Sequence, residues 1–312
     1  MNEIYEKLKR KFPFIANWEK LVKTITLPGF DGVAVYDVAL FFIAEIKKNS
    51  LPMRSKSIAF SFFLALFPAL IFIFSLIPFL GIEALNEKSI ENLLRTVLPS
   101  GDFYNFIFGT LNETLIKKRG DLLTGSFLLS GYLATNGVIA MMASFDKSYE
   151  NYTKRSSIHA YFVASKIALL LVIMFLLSVV LIVVGQEVFR YGFSFLHIDN
   201  FFTHFLVNFL RYFIIVMLFF FSISFIYYYG PSTQKKYRFI SPGATVATIL
   251  SILASLGFSY YVTHLSHYNT IFGSIGTIML LMMWFNLNAF VLLIGYELNA
   301  SIYLHKNNVK RI

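Results

Sequence analysis

The chain has 312 residues, of which 57% are hydrophobic and only 14% charged, with a mean hydropathy of +0.65. Soluble domains carry about 25% charged residues, so the composition excludes a water-soluble fold and calls for lipid as solvent. A formal charge of +10 raises nucleic acid as a partner, while the lack of any cysteine excludes disulfides, thiolate catalysis and thiolate-bound metal.

Residues 1–30 mix Lys and Glu with aromatics and predict a short helix outside the bilayer. Residues 33–48 follow, where at 100° per residue Asp37, Glu45, Lys47 and Lys48 share one half of a helix and Val, Ala, Leu, Phe and Ile fill the other. That pattern fits a helix lying in the membrane interface with Phe41, Phe42 and Ile46 downward. It fits equally a helix packed against the ends of a bundle. At Leu51-Pro52 the pattern predicts a break, and Arg54 and Lys56 are expected to anchor the first span at the interface.

Six apolar runs come next, at 58–80, 122–145, 161–185, 202–229, 241–263 and 271–298. About 20 residues at 1.5 Å rise cross roughly 30 Å of hydrocarbon, and every run reaches that length. Because stretches such as 167–184 are apolar on all faces rather than alternating, helices are expected and not a β-barrel. In lipid each helix satisfies its own backbone. The expected architecture is therefore all-α: a polytopic bundle of six membrane helices at 58–303. A helical segment precedes it at 1–57, and a basic tail follows at 304–312.

Lys and Arg distribute unevenly around this frame. Placing residues 1–57, the loops near 146–160 and 230–240 and the C-terminus on one side gives that side nineteen, against six on the other. By the positive-inside rule both termini are expected in the cytoplasm. The basic balance then reports topology, and nucleic acid is not an expected partner. The N-terminus is charged rather than apolar, which argues against a cleaved secretory signal. Segment 81–121 is expected outside, although its Lys117-Lys118-Arg119 triplet also suits a partly re-entrant path.

Ionisable groups inside hydrocarbon cost about 2.5–3.5 kcal/mol on insertion scales and usually face protein, water or a ligand. Lys166 lies about two turns into the third span, at a depth comparable to that of Glu297 near the end of the sixth. Arg211 lies in the outer half of the fourth span with His204, where Glu187 can reach it. The expected ion pairs are Lys166 with Glu297 and Arg211 with Glu187, joining helices or holding a polar ligand group. The alternative is that the long stems snorkel to the headgroups. Asn136, Asn286, Asn288 and Asn299 add amides that join helices. Glu297 and Asn299 are about 200° apart on a helix, so one is expected to face the bundle and the other its edge.

Pro68, Pro78 and Pro231 mark points where a helix can kink or stop. Gly273, Gly276 and Gly295 allow close backbone approach, and residues 268–278 suit either a packed contact or a cavity lining. The histidines, His159, His197, His204, His264, His267 and His305, form no metal-binding motif. No phosphate loop or nucleophile elbow occurs either. No cofactor or metal is called for.

Several stretches together resemble the YihY/BrkB family of bacterial inner-membrane proteins, formerly labelled ribonuclease BN. They are Ala59-Phe60, Leu64 to Pro68, Tyr229-Gly230-Pro231, Gly243-Ala244, Tyr268-Asn269, Phe272-Gly273-Ser274-Ile275-Gly276, Trp284 and Gly295-Tyr296-Glu297-Leu298-Asn299-Ala300. The likeness runs from about Met53 to Ser301. It departs at Phe272, where the family usually has Tyr, and at Gly131-Tyr132-Leu133, where a Trp is common. The resemblance implies six spans in the cytoplasmic membrane and no settled activity. The expected function is the handling or transport of a lipid or amphiphilic solute, with membrane lipids as partners. A membrane scaffold is the alternative, and a ribonuclease a third reading.

Overall fold

The structure, a computed structural model, describes residues 50–80, 120–146, 155–183, 201–232, 238–264 and 274–309, together with Ala34 and Tyr36. Six helices occupy these stretches: α1 Leu51–Leu80, α2 Gly120–Asp146, α3 Ser157–Val183, α4 Phe201–Tyr229, α5 Pro242–His264 and α6 Ser274–Val309. The described residues include no strand. All six helices are long and apolar enough to cross a membrane. The predicted amphipathic segment at 33–48, apart from Ala34 and Tyr36, the segment 81–119 and Glu187 lie outside the described residues.

Each helix packs on its neighbours in sequence and α6 closes on α1, so the six form a ring in chain order. Elements consecutive in sequence are usually adjacent in space. The most extensive contacts join α1 to α2 and α6 to both α5 and α1. At 36 residues, α6 is about 54 Å long and outruns the roughly 30 Å hydrocarbon core. It also touches α2, and Tyr227 of α4 donates its hydroxyl to the Leu292 carbonyl at 2.5 Å.

Helix α1 begins seven residues before the apolar run. Pro52 sits in its first turn, where a missing N–H costs nothing, and the amides of Met53 and Arg54 bond to the Ser50 carbonyl at 3.1 Å. Arg54 and Lys56 therefore ride on the span. The helix continues through Pro68 and Pro78, whereas Pro231 follows the end of α4, after Gly230. A Cβ at Gly230 would come within 2.5 Å of the Ile226 carbonyl.

The backbones of α5 and α6 approach closely at two glycines. A Cβ built on Gly243 would run into the Gly295 carbonyl, and one on Gly295 would lie 2.6 Å from both the Gly243 carbonyl and the Ala247 Cβ. This is the packing that small residues permit in membranes. Gly276 is buried in the first turn of α6, while Gly273, Tyr268 and Asn269 are outside the described residues.

Candidate functional site: a groove between α1 and α6

Three consecutive residues of α1 meet α6 in different ways. Arg54 is 4% exposed, and its Nη1 lies 2.7 Å from Oε1 of Glu297, which is fully buried. Its Nη2 donates to the Ser144 carbonyl of α2. The Ser55 hydroxyl donates to Asn286 Oδ1 at 2.9 Å. Lys56, exposed, lines the mouth of a groove that runs along the outside of the α1–α6 contact.

The groove is open along its outer side and measures about 670 Å³. Its α1 wall carries Lys56, Phe60 and Phe63, residues i, i+4 and i+7 on one helical face. Its α6 wall carries Asn286, then Met283, Met282 and Met279. Polar groups thus sit at one end and an apolar trough extends from them. Methionine is flexible and polarizable, and it suits a wall that accepts variable apolar shapes.

Beside the groove, the same end of the bundle is tied together by side chains. Asn299, 4% exposed, accepts from the Gly243 amide at 2.8 Å and donates to the Ser241 hydroxyl at 2.9 Å. Ser241 in turn caps α5 by accepting from the Ala244 amide. Arg155 donates to the carbonyls of Tyr229, Gly230 and Pro231 at 2.8–3.2 Å, where a cation suits the negative end of α4. Asp146 Oδ1 accepts from the amide and hydroxyl of Ser232, both at 3.0 Å. The Phe145 ring stacks on Tyr296 at 4.2 Å and meets Tyr227 edge-on at 5.8 Å, joining α2, α6 and α4.

The expected pairing of Lys166 with Glu297 is not formed. Lys166 is exposed on α3 and its Nζ lies 4.2 Å from the centre of the Phe162 ring, while Glu297 belongs to Arg54. The two side chains face in different directions: Lys166 is turned outward on α3 and Glu297 inward to α1. Arg211 is half-buried and contacts its own neighbour, with Nη2 3.1 Å from the Tyr212 hydroxyl. Glu297 and Asn299 both face protein, because α6 is wedged between α1 and α5 and opposite faces of it are covered. Of the amides, Asn286 and Asn299 join helices, whereas Asn288 bonds within α6 to the Trp284 carbonyl. Asn136 is half-buried on α2 and makes no side-chain hydrogen bond among the described residues. No three His, Asp or Glu side chains converge among the described residues.

Sequence reasoning missed Arg54, Lys56 and Asn286 as parts of one site. The signal was a polar triplet followed by Phe at i+4 and i+7, and an Asn preceded on its face by three Met. Arg54 was assigned to the interface because it precedes the apolar run.

An apolar six-helix ring with an amphipathic groove on its flank defines a multi-pass membrane protein. The chain belongs to the family described as Virulence factor BrkB, which matches residues 42–311. It is 28% identical over 253 residues to YfkH of Bacillus subtilis (strain 168), a protein named as ribonuclease-like. That alignment covers 81% of this chain and 90% of YfkH. A UPF0761 membrane protein of Pseudoalteromonas translucida (strain TAC 125) is 38% identical over 72 residues, 23% of this chain and 24% of that one. A second UPF0761 membrane protein, from Idiomarina loihiensis, is 36% identical over 72 residues, 23% and 25% of the two chains. No solved structure matches. Family and helices together make this a multi-pass protein of the bacterial inner membrane.

Proposed function

We propose that the protein binds and handles a lipid or other amphiphile through the α1–α6 groove, without chemistry of its own. The observation that carries this reading is the division of the groove into a polar end at Lys56 and Asn286 and an apolar trough along Phe60, Phe63 and the three Met. A small polar solute has no use for the trough, and a wholly apolar one has no use for the polar end. With both termini in the cytoplasm, as the Lys and Arg distribution favours, the polar end faces the inner leaflet.

Purification in mild detergent followed by mass spectrometry tests the reading. The native protein is expected to retain an amphiphile that is lost when Met279→Phe and Met283→Phe fill the trough. Equal retention by both proteins would sink it. The scaffold reading predicts instead that deleting residues 1–48 strips protein partners and leaves any amphiphile binding untouched. The name of YfkH calls for one further control: purified, chelator-washed protein is expected not to cleave RNA, and metal-restored cleavage would restore the enzyme reading.

A further inference from the structure

We infer that the headgroup this groove accepts is anionic, that of a phosphate-bearing lipid, with Lys56 and Asn286 as its two ligands. The inference rests on the amphiphile reading above and adds the charge of the occupant. Across all of α1 and α6 there is a single carboxylate, Glu297. Arg54 takes it, with Nη1 at 2.7 Å and both groups buried away from the groove. Lys56 consequently faces the groove with no acidic neighbour on either wall, and it makes no ion pair among the described residues.

Asn286 adds a second donor by elimination. Asn286 lines the groove; its Oδ1 meets the Ser55 hydroxyl at 2.9 Å, a hydroxyl that also lies 3.1 Å from the Pro52 carbonyl, and its NH₂ makes no hydrogen bond among the described residues, so it remains as a donor. The polar end therefore presents an ammonium and an amide NH₂, both donors. A phosphate, with several acceptor oxygens and a negative charge, answers both. A choline headgroup brings its own cation beside Lys56 and finds no carboxylate to balance it. Geometry sets the tail: Phe60 and Phe63 continue the face of Lys56, and Met283, Met282 and Met279 continue that of Asn286, so a chain leaving the phosphate runs between them. Lys56 at a helix end also suits simple snorkelling to bulk headgroups. What separates the two is the trough, because a snorkelling Lys prefers anionic headgroups wherever their chains lie, whereas a preference seated in the groove is lost when Met279→Phe and Met283→Phe fill it.

Trp284 supplies the probe. It follows Met283 and, like Phe63 of the groove wall, packs against the cluster of Phe258, Val262, Leu280 and Leu281, and the chain's other Trp is Trp18. In full-length protein carrying Trp18→Phe, held in nanodiscs, the quenching of Trp284 by lipids brominated on one chain is measured with phosphatidylglycerol and phosphatidylcholine headgroups. Brominated phosphatidylglycerol is expected to reach half-maximal quenching at about fivefold lower mole fraction, from one Lys near the surface. The preference is expected to shrink with salt, to vanish in Lys56→Ala and to survive in Lys56→Arg. Lys56 is exposed, so neither substitution removes packing. A preference that persists in Lys56→Ala overturns the inference. Equal quenching by both headgroups, lost when Met279→Phe and Met283→Phe fill the trough, overturns the anionic headgroup and leaves the amphiphile reading standing. Quenching indifferent to both headgroup and filling overturns the two together.

Discussion

The two ends of this bundle are held by different forces. At the end where α1, α3 and α5 begin, side-chain hydrogen bonds join α1 to α2 and α6, α2 to the segment after α4, α3 to the end of α4, and α5 to α6. At the far end the described residues rely on apolar contact. The cluster of Phe258, Val262, Leu280 and Leu281 holds α5 and α6, with Phe63 and Leu66 of α1 against it. On α3 no residue from 169 to 181 is buried, and on α4 none from 209 to 222. Apolar side chains gain little from each other in lipid, since lipid tails are equally apolar. Polar links and backbone contact therefore fix helix positions at one end, while the far ends of α3 and α4 are placed only by what surrounds them.

This contrast is best broken at Arg54. Removing one member of a buried pair strands the other charge and costs about 3–5 kcal/mol, so Arg54→Ala is expected to give the largest loss of thermal stability in detergent. Replacing both partners by apolar residues, Arg54→Leu with Glu297→Leu, is expected to recover much of that loss. A double variant as unstable as the single one would show that Arg54 acts through Ser144 and not through Glu297. Next in size is Gly295→Ala. The new methyl meets backbone at 2.6 Å, and such overpacking costs about 1–3 kcal/mol. It is expected to lower the unfolding temperature, and Gly257→Ala, where a Cβ meets nothing within 4 Å, is expected not to. Asn299→Ala follows, with about 1 kcal/mol for the lost hold on the start of α5, read by the same melt. Asn299→Asp keeps the acceptor for the Gly243 amide and is expected to fall between.

Spans were legible because a run of twenty apolar residues has one cheap solution in lipid, and the structure moves most of the expected boundaries by four residues or fewer. The exceptions are informative. Helix α1 starts early because Pro52 is tolerated in a first turn, and α6 ends late because Asn299, Ser301 and Tyr303 extend it past the apolar run. Partners were not legible. Depth follows from position along a span, but rotation about the axis has to come from an amphipathic pattern, and helices apolar on every face carry almost none. Lys166 and Glu297 were thus paired from their positions along the spans, although α3 turns Lys166 outward and α6 turns Glu297 to Arg54. The groove was hidden for the same reason: Phe60, Phe63 and Met279 look like any other lipid-facing residues until the neighbouring helix is in place.

The smallest expected effect is the sharpest test of the contrast. Phe213 on α4 and Leu176 on α3 are exposed, and on this reading they face lipid. Alanine at either position trades protein–lipid contact for a slightly different protein–lipid contact, and surface changes of this kind stay within about 0.5 kcal/mol. Their unfolding temperatures in detergent are expected to match the native protein, whereas Phe145→Ala, which removes the ring between Tyr227 and Tyr296, is expected to cost about 3 kcal/mol or more. If Phe213→Ala or Leu176→Ala proves as costly as Phe145→Ala, those faces are covered by protein in the membrane. The far ends of α3 and α4 would then belong to an interface rather than to the lipid boundary.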